Sequence, residues 1–160
     1  MSVADATMKG MGMEATKAVA AELNGYLVQQ KRHLRWLRNR SMITDELTKL
    51  VVAWARDHQG WRAKTEQEIL FKKGVHHPGE WWGYVDVGIE RPKPLPPLMI
   101  EIDSANKRWS LDKLVGATDQ GWDAIWLRWG APQNPQLLIP EPVQLVYLDV
   151  KPWKKPRTPR

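Results

Sequence analysis

The sequence predicts an α/β fold, a mixed β-sheet of about five strands with helices packed on it. Three observations carry the prediction. Apolar residues recur at three- and four-residue spacing before Gly60. Beyond Gly60 come short apolar runs separated by Pro- and Gly-rich segments. One further helical pattern interrupts those runs and supplies the crossover that a parallel strand pair needs.

Residues 1–13 hold Gly10, Gly12 and four methionines and read as a frayed end. From Glu14 to about Arg38, Leu23, Tyr26, Leu27, Leu34 and Leu37 predict an amphipathic helix with a basic C-terminal end. A second helix is predicted from an N-cap at Thr44, with Leu47, Leu50, Val51 and Trp54 as its stripe, stopping before Gly60. Trp61–Phe71 reads as a strand, Lys72–Gly79 as a loop and Trp81–Ile89 as a second strand. Four prolines make Glu90–Pro97 a connector. Leu98–Asp103 is the clearest buried strand, Lys107–Asp119 a helix, and Trp122–Trp129 and Val143–Val150 two more strands around a Pro-rich loop, 131–142. The first three strands fit an antiparallel meander and the helix after them a parallel crossover. By composition the chain divides into a basic helical extension (1–42), a core (43–150) and a basic Pro-rich tail (151–160).

At 160 residues with 42% hydrophobic and 26% charged, the chain is of a size to bury one core. It lacks the apolar run of about 20 residues that a membrane helix needs. Met1–Ala6 lacks the basic-then-apolar pattern of a signal peptide, so a cytoplasmic protein is expected, with no membrane partner. With no cysteine there is no disulfide, thiol nucleophile or cysteine-ligated zinc. A net charge of +6 and a pI near 9.7 favour polyanionic partners. The charge is clustered: Arg32, Arg35, Arg38 and Arg40 lie in a segment without an acid, and the tail carries Lys154 and Lys155. These are the candidate nucleic-acid contacts, although cations at a helix C-terminus also suit the macrodipole with no ligand. Ten tryptophans against one phenylalanine offer stacking surfaces as well as core.

The chemistry concentrates in the apolar strands. Asp86, Glu101 and Asp103 are acids inside buried-looking runs, where a carboxylate is costly unless paired or bound to metal. Side chains two apart on a strand share a face, so Glu101 and Asp103 project together, and Asp86 joins them if its strand pairs alongside. Such a set suits Mg²⁺ or Mn²⁺. A solvent-facing edge strand is the alternative explanation for the same pattern.

Asp86, then Glu101-x-Asp103 ending an apolar strand, then a lysine-bearing helix resembles the PD-(D/E)XK nuclease superfamily. Ile100–Lys107, with Asp112–Leu114 and Gly121–Ile125, is similar to its very-short-patch-repair-like branch. The resemblance spans about residues 43–129. It implies a restriction-endonuclease-like core and a metal-dependent endonuclease acting on DNA, with a homodimer open. It implies Asp86 and Glu101 as ligands of Mg²⁺ or Mn²⁺ and Glu46 as an accessory acid. Asp103 stands where the family usually has its catalytic lysine, so Lys107 or Lys113 of the following helix would supply the cation. Gln120 is a further candidate for contact with water or backbone. Restriction, repair, recombination and phage-encoded roles all fit. Two other readings stand beside this one: a non-catalytic nucleic-acid binder on the same fold, and an accessory or assembly protein docking a protein partner through its tryptophans.

Overall fold

The computed structural model describes residues 3–74, 77–130 and 138–154. The fold is α/β, as its sequence predicts. Helices α1 (Val3–Leu34) and α2 (Arg40–Ala53) lead through a π-helical turn, Trp54–His58, into strands β1 (Arg62–Gly74), β2 (His77–Glu90) and β3 (Leu98–Asp103). Helix α3 (Arg108–Asp119) then connects to β4 (Asp123–Trp129) and β5 (Val143–Leu148). The five strands lie side by side in chain order. β1, β2 and β3 are antiparallel, whereas β3, β4 and β5 are parallel.

Alternation along the strands builds two cores. On one face, Leu98, Ile100 and Ile102 of β3 and Ile125, Leu127 and Trp129 of β4 pack beneath the helices. There Leu23, Leu27 and Leu34 of α1 and Ile43, Leu47 and Val51 of α2 are fully buried. On the other face, Met99, Ala124 and Trp126 pack against Leu111, Leu114 and Ala117 of α3. α3 is thus the only helix on that side among the described residues.

The β1–β2 hairpin joins the two cores. β2 pairs with β3 only from Val87 to Ile89. Farther out, the hairpin curls over α3, placing Ile69, Phe71 and Val85 in the second core. Val87 faces the first core and Val85 the second, although they are two residues apart. A regular strand would put both on one face, so β2 bends at Asp86. Opposite it on β1, Glu66 has a positive φ of 51°, the local backbone distortion that accompanies the bend. Gly116 lets the curl close, because a Cβ there would stand 2.7 Å from the Phe71 ring.

Several boundaries differ from expectation. The cap of α2 is Asn39, whose Oδ1 accepts the Met42 amide at 2.8 Å, and not Thr44. Thr44 and Asp45 mimic a helix start, but Ile43 already belongs to the buried stripe. Residues 72–74 and 77–79, expected as loop, continue the hairpin ladder, with Lys72 opposite Glu80 and Gly74 opposite His77. Within residues 1–42, α1 contributes Ala20, Leu23, Leu27 and Leu34 to the first core, and it begins at Val3, among the residues expected to fray. The start of the tail docks as well, with the Trp153 amide donating to Leu37 O at 2.9 Å. No helix among the described residues is long and apolar enough to cross a membrane.

Candidate active site

The bend at Asp86 creates the site. Where β2 leaves β3, the Ile102 amide would lose its ladder partner, and Asp86 Oδ2 accepts it instead at 2.6 Å. The same alternation that sends Ile100 and Ile102 into the first core turns Glu101 and Asp103 toward α3. Both are 2% exposed.

α3 answers these acids with lysines. The Lys113 ammonium forms an ion pair with Glu101 and donates to Tyr84 O at 2.8 Å, tying α3, β3 and β2 together. Lys107, just ahead of α3, pairs with Asp103 Oδ1 at 2.8 Å. Asp103 Oδ2 accepts the Trp126 indole N–H at 2.9 Å. The two lysines are not equivalent: Lys113 is 11% exposed at its side chain and Lys107 60%.

Burial pushes the Glu101 carboxyl up to about 7, with the neighbouring Asp86 charge adding to the rise and Lys113 opposing it. Burial also raises Asp86, against the Ile102 hydrogen bond and the Lys113 charge. Lys107 is raised chiefly by its hydrogen bond and ion pair with Asp103.

These contacts divide the three acids. Asp86 and Glu101 are neighbours in each other's field, beside the half-buried Lys113. Asp103 has both oxygens engaged elsewhere, by Lys107 and Trp126. Among the described residues no group of three or more His, Asp or Glu side chains stands arranged around a metal position. Two carboxylates in each other's field nevertheless fit one hard divalent cation, which would offset the burial and the Asp86 charge that raise Glu101. Asp86 Oδ2 is taken by the Ile102 amide, which leaves Oδ1 for an ion.

The remaining sequence candidates lie apart from this pair. Glu46 forms an i,i+3 ion pair with Lys49 at 3.5 Å on α2, which packs on the opposite face of the sheet from α3. Gln120 caps the far end of α3 and donates to Gly116 O at 3.1 Å. It is about 10 Å along the helix from Lys113, at about 1.5 Å per residue.

Arg32, Arg35, Arg38 and Arg40 are exposed around the α1–α2 corner. Arg38 lies over the Trp153 ring at 5.9 Å, so the docked tail and the corner form one basic surface. Arg40, Lys151 and Lys154 line a cavity of about 330 Å³ with Ser104, the residue after Asp103. The cations therefore gather at the carboxyl end of β3, the same end as the acids. Lys155 lies outside the described residues.

Two further neighbours of Asp103, Trp126 and Arg128, are not among the candidates drawn from the sequence. Arg128 carried the signal used for the acids, a charge inside an apolar run. Trp126 carried none, because its indole bond depends on strand register.

No protein-family model, no curated protein and no solved structure matches the chain.

Proposed function

We propose that this protein is a metal-dependent endonuclease that hydrolyses phosphodiester bonds in DNA. One observation carries the reading: the buried Glu101, raised to about 7 beside Asp86, is met by Lys113 from α3. Two carboxylates and one lysine at a strand divergence are the residue types that phosphoryl transfer uses, and they lie at the end of the fold where the basic surface gathers.

Asp86 and Glu101 would hold Mg²⁺ or Mn²⁺, which supplies charge neutralisation at the phosphate and an activated water. Lys113 takes the place of the family's lysine, which Asp103 vacates in sequence. Its ammonium is fixed by Tyr84 O, so it can turn from Glu101 toward charge building on a phosphate oxygen without leaving its anchor. Lys107 neutralises Asp103 and keeps that carboxylate from repelling the substrate. The exposed arginines of the α1–α2 corner and Lys154 take flanking phosphates, a contribution that salt weakens.

The test is incubation of supercoiled plasmid with the full chain and Mg²⁺ or Mn²⁺. Wild type nicks or linearises the plasmid, and Asp86→Ala does not. Equal products from both sink the assignment. Binding without cleavage by wild type in either metal moves the protein to the non-catalytic binder.

A further inference from the structure

Parallel pairing sets Arg128 of β4 directly opposite Asp103 of β3 on one side and Tyr147 of β5 on the other. Arg128 follows Ala124 and Trp126 in the alternation that faces α3, and its guanidinium lies 5.0 Å from the Trp126 ring centroid. It is 5% exposed.

An arginine this deep ordinarily has a carboxylate partner, because an unpaired buried charge is costly. Here both neighbours are committed elsewhere. Asp103 gives its oxygens to Lys107 and Trp126, and the Tyr147 hydroxyl donates to Gly130 O. The Arg128 Nε is buried without a hydrogen-bond partner. Residues 131–137, next in sequence after Gly130, contain no acid. Lys107 stands on the other side of Asp103, so two cations share one carboxylate at this end of the sheet.

We propose that Arg128 anchors a subsite for a phosphate group at the carboxyl ends of β3, β4 and β5, with Lys107 as its second cation. A guanidinium presents a planar fork of N–H donors that matches the oxygens of a phosphate, and the Asp103 charge that faces it is already shared with Lys107. The subsite adjoins Glu101 along β3, and it rests on the endonuclease reading only for the identity of the polymer that bears the phosphate. Arg128 then acts as a binding residue, holding a strand's phosphate next to the one that is cut.

The test is thermal melting of the full chain in inorganic phosphate against chloride at matched ionic strength. Wild type melts higher in phosphate, Arg128→Met shows no rise, and Lys107→Ala shows a smaller one. Asp86→Asn keeps the full rise while losing plasmid cleavage, so the subsite and the endonuclease reading can fail separately. Single strands carrying a 5′-phosphate or a 5′-hydroxyl identify the source. Tighter binding of the phosphorylated strand assigns a terminal phosphate, and equal binding that inorganic phosphate displaces assigns an internal one. Either way, Arg128→Met weakens strand binding by at least about tenfold, the order expected for one charge-assisted hydrogen bond. An equal melting rise in Arg128→Met, or none in wild type, overturns the subsite. Arg128→Met melting far below wild type in chloride would also overturn it, by marking Arg128 as a cation satisfied within the fold.

Discussion

Lys113 and Glu101 meet across two layers of the fold, the lysine descending from α3 onto a carboxylate on the buried face of β3. The pair links α3 to the sheet at the point where β2 bends away. Breaking a buried pair from one side leaves an uncompensated charge, at a cost of about 3–5 kcal/mol. Lys113→Met should therefore lower stability by that order at pH 8, measured by urea denaturation. The loss should shrink at pH 5, where Glu101 is protonated in the folded state.

Glu101 also makes stability depend on pH. Its folded value is about 7 against an ordinary 4.5, so the folded state holds a proton that the unfolded chain has released. The contribution is fully present below about 4.5 and is lost as pH rises through about 7, a fall of about 3 kcal/mol. Asp86, raised in the same direction, adds to it. Denaturation from pH 5 to 8 should show this decline in wild type, and Glu101→Gln should flatten most of it.

A control comes from an acid outside the site. Asp123 forms an ion pair with Arg91, whose side chain is fully buried and whose Nε donates to Pro96 O at 2.6 Å. Asp123→Ala should destabilise the fold by about 3–5 kcal/mol, because it strands a buried guanidinium. At temperatures where the variant stays folded, DNA cleavage should be unchanged.

The curl of the hairpin gives a steric prediction. Phe71 stacks on Trp81, and Trp81 on Trp109 of α3, with centroids 4.3 and 4.5 Å apart. Gly116→Ala drives a methyl to 2.7 Å from the Phe71 ring and should cost about 1–3 kcal/mol, read as a drop in melting temperature. It should also reduce cleavage, since the hairpin and α3 together position Lys113 on Tyr84 O.

How much of this was legible from sequence depends on how local each signal is. β3 was found at its true bounds because a continuous apolar run flanked by prolines and a polar break has few other readings. α3 and the parallel crossover followed from a helical pattern between two strands. Asp86 and Glu101 stood out as charges where charge is costly. The lysine could be narrowed only to Lys107 or Lys113, because the choice depends on how α3 sits over β3. Asp103's role was likewise hidden, since Trp126 and Arg128 reach it through strand register. The extended hairpin is hidden in the sequence because Pro78 and Gly79 imitate a loop, whereas they lie at a register shift between the Lys72–Glu80 and Gly74–His77 pairs of one continuing hairpin.

The central claim is that Glu101 belongs to a hydrolytic site and is not merely a buried acid neutralised by Lys113. The most direct measurement is the rate of plasmid nicking by wild type and Glu101→Gln in Mg²⁺ at pH 8, where the Glu101 carboxyl is ionised. Wild type should cleave, and the rate should fall about a hundredfold or more in the variant, with the variant still folded. Equal rates in the two proteins would contradict it.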